Sequence, residues 1–134
     1  MQLPLRLASV LTLGILSTLL MVPTLRAASP GEKTYTGQWN NRKYNTKGAL
    51  TCKLTPSRER TWKAKFTGTG LGRPFSYDAT LTAGSRNGRV VLQGVSSVDG
   101  ERYTWSGYIN GSVLVGSYRS ASGNNGNFQL KATR

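Results

Sequence analysis

Three Asn-Gly or Asp-Gly dipeptides follow one another through the second half of the chain, each between segments in which apolar and polar residues alternate. They are Asn87-Gly88, Asp99-Gly100 and Asn110-Gly111. Such dipeptides favour two-residue type I′ turns, whose twist matches that of two antiparallel strands. Because a two-residue turn sets which residues face each other, the three turns predict a four-stranded antiparallel meander with a defined register.

The predicted register surrounds one tryptophan with glycine. The Asp99-Gly100 turn places Trp105 opposite Gly94, and the Asn110-Gly111 turn places it opposite Gly116. Alternation of large and small residues across neighbouring strands is typical of strongly curved sheets. The pattern therefore indicates a sheet that curls around its apolar face.

Alternation with a period of two continues from residue 34 to the end of the chain, and no segment shows helical periodicity. Turn-forming residues divide this region into eight predicted strands: 34–40, 48–55, 61–68, 74–84, 89–98, 101–110, 112–120 and 126–133. An open meander would leave two exposed edges, which closure removes. We therefore predict an all-β, eight-stranded antiparallel up-and-down barrel, with a two-sheet β-sandwich as the alternative.

The N-terminal segment has the pattern of an export signal. A basic residue, Arg6, precedes an apolar stretch at 7–25, and small residues follow at Ala27-Ala28. We predict a signal peptide at 1–27, a linker at 28–33 and one domain at 34–134, hence a secreted or periplasmic protein without a membrane span after cleavage. The alternative is that 7–25 stays as an anchor, since its length approaches a membrane span.

The titratable residues argue against catalysis. The 134-residue chain has no histidine, one cysteine and five acidic residues, which excludes Ser-His and Cys-His pairs and any intramolecular disulfide. No spacing resembles a metal-ligand set. Asp78 is predicted to face outward, and the other acids lie in the linker, in turns or at a strand end. We expect a binding module, not an enzyme, with no catalytic residue, metal or cofactor.

Several motifs resemble known exported barrels. Gly37-Gln38-Trp39 is similar to the Gly-x-Trp opening of calycins such as lipocalins and avidins. The whole domain resembles small exported planctomycete-type proteins of unknown function, through patterns such as Tyr35-x-Gly37-x-Trp39, Leu50-x-Cys52 and Trp62-x-Ala64-x-Phe66. Periplasmic protease-inhibitor barrels also open with Gly-x-Trp, although they normally hold a disulfide. The resemblance implies a barrel and export, without implying an activity.

The inner face offers the first candidate site. Tyrosine hydroxyls and tryptophan rings alternate onto the same predicted face, and a barrel of eight strands is either filled or holds one small ligand. The alternatives are a small-molecule carrier with an interior pocket and a filled core. The pocket residues would be Tyr35, Trp39, Trp62, Tyr77, Tyr103, Trp105 and Tyr118.

The outer face offers a basic candidate site. Without Arg6 and Arg26, the chain keeps 16 basic and five acidic residues, a net charge of +11. A short turn near Arg58 would pair Lys53 with Lys63, and the third turn would pair Arg102 with Arg119. Like charges in direct opposition are unfavourable unless a partner supplies counter-charge. The predicted binding residues are Lys53, Arg58, Arg60, Lys63, Lys65, Arg102 and Arg119.

Such a surface predicts attraction to anionic polysaccharide, lipopolysaccharide or another polyanion, or simply a solvated face. Specific recognition of nucleic acid is not expected, because the aromatic residues lie on the opposite face and cannot stack on bases. A separate apolar row faces outward, a pattern typical of an interface, and self-association is one candidate role. Its predicted members are Val91, Tyr108 and Val113, with Val95 and Val115 nearby.

Overall fold

The computed structural model describes residues 31–134. The predicted signal peptide and residues 28–30 of the predicted linker lie outside the described residues. Eight antiparallel strands form one closed barrel, in which each strand pairs with its neighbours in sequence and β1 pairs with β8. The strands are β1 (Lys33–Asn41), β2 (Thr46–Pro56), β3 (Thr61–Gly70), β4 (Arg73–Arg86), β5 (Arg89–Val98), β6 (Glu101–Asn110), β7 (Val113–Ser120) and β8 (Asn125–Ala132).

The up-and-down barrel is therefore confirmed, and the sandwich alternative is wrong. The strand bounds differ from the predicted ones by at most two residues at either end. The largest difference in a turn lies between β1 and β2, where β1 continues through Asn41 and the turn occupies 42–45 instead of Asn40-Asn41. No helix within 31–134 is long and apolar enough to cross a membrane.

Two of the three predicted turns have the expected geometry. Both residues of Asn87-Gly88 and of Asp99-Gly100 have positive φ, as type I′ turns require. The predicted pairing of Gly94 with Trp105 follows and is confirmed. Local turn chemistry was sufficient to set the register of β4, β5 and β6.

The third turn is displaced by one residue from its predicted place. It occupies Gly111-Ser112, and only Gly111 has positive φ, which is the pattern of a type II′ turn. Every pair between β6 and β7 therefore shifts by two residues. Trp105 faces Tyr118, so its predicted pairing with Gly116 is wrong. A shift of two keeps each residue on its predicted face.

Aromatic and aliphatic side chains from all eight strands form the core in the barrel interior. Phe66 is at the centre, with its ring centroid 5.0 Å from that of Trp105 and 5.1 Å from that of Tyr77. Gly116 faces Phe128, and a Cβ built on this glycine would overlap the Phe128 ring. The glycine thus makes room for a phenylalanine, not for the predicted tryptophan.

Candidate functional site at the barrel mouth

The two ends of the barrel interior differ in packing. The end near the β2–β3, β4–β5 and β6–β7 turns keeps only a void of about 20 Å³, enclosed mainly by leucine and phenylalanine side chains. The opposite end contains an open cleft of about 160 Å³. This cleft is called the mouth cleft below. It is far larger than the volume of about 30 Å³ that one water molecule occupies in the liquid. The interior is therefore filled at one end and hollow at the other.

Aromatic side chains form most of the mouth cleft. Its lining residues are Trp39, Asn41, Leu50, Phe75, Tyr77, Val98, Tyr103, Trp105, Tyr118 and Phe128. Neighbouring rings hold each other in place: Trp39 and Phe75 meet edge to face at 5.9 Å, and Tyr77 stacks on Trp105 at 5.4 Å. Rings packed in this way form a preorganised apolar wall for a small planar molecule.

Three phenol groups line the same cleft and differ in their partners. The Tyr118 hydroxyl donates to the Asn40 carbonyl at 2.5 Å, and the Tyr103 hydroxyl donates to Glu101 at 3.2 Å. Among the hydrogen bonds of residues 31–134, none involves the Tyr77 hydroxyl, yet no fully buried polar atom lacks a partner. The Tyr77 hydroxyl is therefore available to a molecule in the cleft.

The phenols of the cleft stay protonated at neutral pH. Burial raises the pKa of Tyr118 to about 12, with a smaller effect from Tyr103. Burial also raises the pKa of Tyr77 well above its usual value, and the nearby Cys52, Tyr118 and Tyr103 add to the shift. A ligand would thus meet neutral hydroxyl groups. The Tyr77 hydroxyl can donate its hydrogen to the ligand, whereas the Tyr103 and Tyr118 hydroxyls already donate to Glu101 and Asn40.

A carboxylate orders the loop beside the cleft. The two oxygens of Glu101 accept hydrogen bonds from the Ser122 backbone N–H and the Asn124 side-chain amide, both at 3.1 Å. Hydrogen bonds from the Ser122 and Ser120 side chains, then from Asn124 and the Ser122 backbone, lower the pKa of Glu101 to about 2. The β7–β8 loop is thereby fixed to the start of β6 at the rim.

The structure separates the predicted pocket residues into two groups. Trp39, Tyr77, Tyr103, Trp105 and Tyr118 line the mouth cleft. The other two do not line it: Tyr35 is 1% exposed within the core, and Trp62 lies at the other end, where it pairs with Pro56 and Leu81.

Five residues of the mouth cleft are not among the pocket residues that the sequence predicts: Asn41, Leu50, Phe75, Val98 and Phe128. The pair Asn40-Asn41 predicts a turn, although alternation from Trp39 places Asn41 on the inner face, and that alternation is the signal for its place in the cleft. Val98 ends β5, and the sequence predicts no role for it beyond that of a strand residue. Whether Val98 lines a cleft depends on which end of the barrel is open. The alternation of apolar and polar residues does not show this.

The basic hairpin of β2 and β3 has a different register from the one predicted. Lys53 faces Lys65, and Thr55 faces Lys63, so the predicted Lys53–Lys63 pair is wrong. The turn that contains Arg58 and Arg60 is centred on residue 59 instead of residue 58, which shifts every pair by two residues. All five basic side chains are exposed, and their role in binding stays a prediction.

The predicted arginine pair on β6 and β7 is also wrong. Arg102 faces Ser97 on β5, while Arg119 faces Thr104 and Asn125. The cause is the two-residue shift of the third hairpin. These two arginines therefore do not form a like-charge pair.

The structure contains the predicted apolar row on the outer face, but one of its members differs from the prediction. Val91 faces Tyr108, and Tyr108 faces Val115, so Val115 takes the place predicted for Val113. Val95 is 42% exposed and lies four residues further along β5. The Arg89 guanidinium lies 4.9 Å from the centroid of the Tyr108 ring, so a cation borders this row.

Structural comparison relates the chain to small β-barrels. A de novo designed fluorescence-activating β-barrel matches with a TM-score of 0.58 and 16% identity, over 78% of this chain and 94% of the other. That match shows the fold. Lipid binding protein 8 of Caenorhabditis elegans has a TM-score of 0.38 at 10% identity, covering 77% and 94% of the two chains. A mutant of the fluorescent protein UnaG has a TM-score of 0.40 at 12% identity, covering 78% and 95%.

Sequence comparison adds no assignment, since neither a family model nor a curated protein matches the chain. The resemblance to exported planctomycete-type proteins stays a prediction. Within residues 31–134, no group of three His, Cys, Asp or Glu side chains is arranged to hold a metal ion.

Proposed function

We propose that the protein is a non-catalytic binding module that holds a small, planar, mainly apolar molecule in the mouth cleft. The observation that carries this proposal is the cleft of about 160 Å³ with aromatic walls and an available Tyr77 hydroxyl. Cavities of about 150 Å³ in protein cores accept benzene. The designed barrel of the same fold is described as fluorescence-activating, which is compatible with a ligand in such a barrel.

The size and chemistry of the cleft narrow the ligand class. One six-membered ring matches the volume of the cleft, and any larger substituent must extend through the open mouth. An oxygen acceptor on the ring would receive the Tyr77 hydroxyl hydrogen. We therefore expect a phenolic or carbonyl-bearing aromatic compound.

The expected affinity is modest. A ring that loses about 150 Å² of apolar surface to the cleft gains about 4 kcal/mol, which corresponds to a dissociation constant of about 1 mM. One hydrogen bond to a phenol adds about 1 kcal/mol and lowers that constant about fivefold. The natural ligand would gain further affinity from groups that contact the rim.

Titration with toluene and p-cresol, followed by heteronuclear NMR, tests the proposal. The two compounds have similar size, but only p-cresol carries a hydroxyl. Tyr77→Phe should weaken p-cresol about fivefold and leave toluene within about twofold, because it removes only a hydrogen-bonding group. An unchanged affinity for p-cresol in Tyr77→Phe would contradict the role assigned to the Tyr77 hydroxyl.

Two matched valine variants test the location. Val98 lines the mouth cleft, whereas Val90 faces inward at the opposite end of the same strand. Val98→Phe should fill the cleft and weaken both compounds at least about tenfold, while Val90→Phe should leave their affinity within about twofold. Equal losses in the two variants, or no binding to the wild-type protein, would refute the mouth-cleft proposal.

A second candidate function is the binding of anionic polymers by the outer surface. Its support is the excess of basic over acidic residues, which attracts anionic polymers. Retention on immobilised heparin should fall steeply with salt, because screening weakens attraction beyond about 8 Å at physiological ionic strength. No retention at low salt would exclude this function.

A further inference from the structure

The outer surface of β5, β6, β7, β8 and β1 is indented and carries apolar, polar and basic side chains but no acidic ones. Two adjoining depressions, of about 920 and 880 Å³, share Ser106, Ser117 and Asn127. None of the five acidic residues of the chain is among their lining residues. The two depressions together are called the outer groove below.

Two rows of outward residues cross the outer groove. One row runs from Val91 through Tyr108 and Val115 to the neighbouring amides of Gln129 and Gln38. Because strands are about 4.8 Å apart, a row across five strands extends about 19 Å. That length suits an extended chain better than a single small molecule.

The second row supplies short polar groups. It contains Gln93, Ser106, Ser117 and Asn127, and the two serine hydroxyls are 3.0 Å apart. Short serine side chains leave the floor of the groove low between longer neighbours. Hydroxyl and amide groups at this spacing can each donate to and accept from the hydroxyls of a sugar chain.

Cationic side chains line both depressions. Lys47 and Lys131 line the first, and Arg42 and Arg119 line the second. The backbone N–H of Arg42 donates to the Asn125 carbonyl at 2.9 Å. With the Asn127 amide assigned in the orientation that satisfies both of its polar atoms, its oxygen accepts a hydrogen bond from the Arg42 guanidinium at 2.7 Å. With no carboxylate among them, these cations carry charge that an anionic partner can neutralise.

The basic hairpin of β2 and β3, in contrast, has carboxylates beside its cationic side chains. The depression that contains Lys53, Lys63 and Lys65 is also lined by Glu32 and Asp78. Asp78 faces Lys65 directly, and Glu59 lies in the turn between Arg58 and Arg60. The hairpin thus already holds carboxylates beside its lysines.

We infer that the outer groove is the binding site for an acidic polysaccharide, an inference that rests on the second candidate function above. The cationic side chains, which have no carboxylate among them, complement the negative charge of such a polymer. The amide and hydroxyl groups of the two rows can form hydrogen bonds with its sugar hydroxyls. The single aromatic ring of Tyr108 gives one stacking position. A single-stranded nucleic acid would need several exposed rings on which its bases could stack, and most aromatic residues of the barrel face the interior.

Two double variants with the same change in net charge test the inference. Gln38→Glu/Gln129→Glu adds two negative charges to neighbouring residues of the outer groove, and Lys53→Gln/Lys65→Gln removes two positive charges from the hairpin. Affinity for a polygalacturonate oligosaccharide is measured by calorimetry at low salt. The groove variant should lose at least about tenfold, because like charges then face the ligand. The hairpin variant should stay within about threefold.

If the groove variant fails to fold, Gln129→Glu and Lys65→Gln form the same comparison with one charge each. A larger loss in the hairpin variant, or equal losses, would overturn the groove while leaving outer-surface binding intact. No binding by the wild-type chain would overturn both. Equal or tighter binding of duplex DNA with the same dependence on Gln129 would overturn the polysaccharide assignment. A dimer in sedimentation that Gln38→Glu/Gln129→Glu disrupts would assign the groove to a second copy instead.

Discussion

Replacing Gly116 tests the packing that the structure assigns to the barrel wall. A Cβ at this position would overlap Cζ of Phe128 and lie within 2.8 Å of both Cε atoms. Phe128 cannot easily move away, since it is 6% exposed and its ring packs 5.8 Å from those of Phe66 and Trp105. Overpacking of this kind costs about 1–3 kcal/mol. We expect Gly116→Ala to lie in that range and Gly116→Val to exceed about 2 kcal/mol.

The measurement is urea unfolding followed by far-UV circular dichroism, with thermal unfolding as a second assay. A loss of 1 kcal/mol should lower Tm by about 4–8 °C for a domain of this size. Gly84→Ala is the matched control, because Gly84 lies in β4 without positive φ and its Cβ would meet nothing within 4 Å. That control should be neutral or stabilising by about 0.5 kcal/mol.

A second substitution identifies the residue responsible for the clash. Phe128→Leu alone should cost about 1–2 kcal/mol through lost packing. Combined with Gly116→Ala it should cost at least about 1 kcal/mol less than the sum, since the smaller side chain makes room for the new methyl group. Additive losses, or a stable Gly116→Ala variant, would refute the pairing of Gly116 with Phe128 across β7 and β8.

Three further predictions concern single groups. Ser96→Ala should destabilise the barrel by about 1–3 kcal/mol in urea unfolding, because the buried Trp105 indole N–H donates to the Ser96 hydroxyl and would lose its partner. Glu101 has a folded pKa of about 2 against an ordinary 4.5, so its contribution is present above pH 4.5 and lost towards pH 2. Glu101→Gln should flatten the fall of Tm across that interval, and an unchanged slope would contradict the hydrogen bonds assigned to this carboxylate. Burial raises the pKa of Cys52 to about 12, so iodoacetamide should leave this thiol unmodified in the native protein at pH 8 and alkylate it in urea, as mass spectrometry would show.

Much of the fold follows from the sequence alone. Alternation with a period of two assigned the inner and outer faces, since successive strand residues point to opposite sides of a sheet. The Asn87-Gly88 and Asp99-Gly100 turns set the register of three strands. Both residues of each turn adopt positive φ, as Asn, Asp and Gly readily do in type I′ turns. An open meander of eight strands would expose two edges, and this was the basis for predicting closure into a barrel.

Tertiary structure alone decided the third turn. Asn110-Gly111 and Gly111-Ser112 are both suited to two-residue turns, and the two choices differ by a two-residue shift that leaves every side chain on its face. Sequence alternation therefore cannot choose between them. The choice belongs to the closed barrel, in which β7 pairs with β8 as well as β6 and Gly116 receives the ring of Phe128.

The candidate sites also depend on closure. The mouth cleft combines Trp39, Tyr77, Val98 and Tyr118 from four strands, and whether it stays open depends on how side chains from all eight strands fill the interior. The outer groove likewise needs β8 beside β1, which brings Gln129 next to Gln38. Local sequence determines which face of the sheet a residue occupies. Which distant residues lie side by side on that face depends on the registers of all eight strand pairs together, and only the closed sheet fixes these registers.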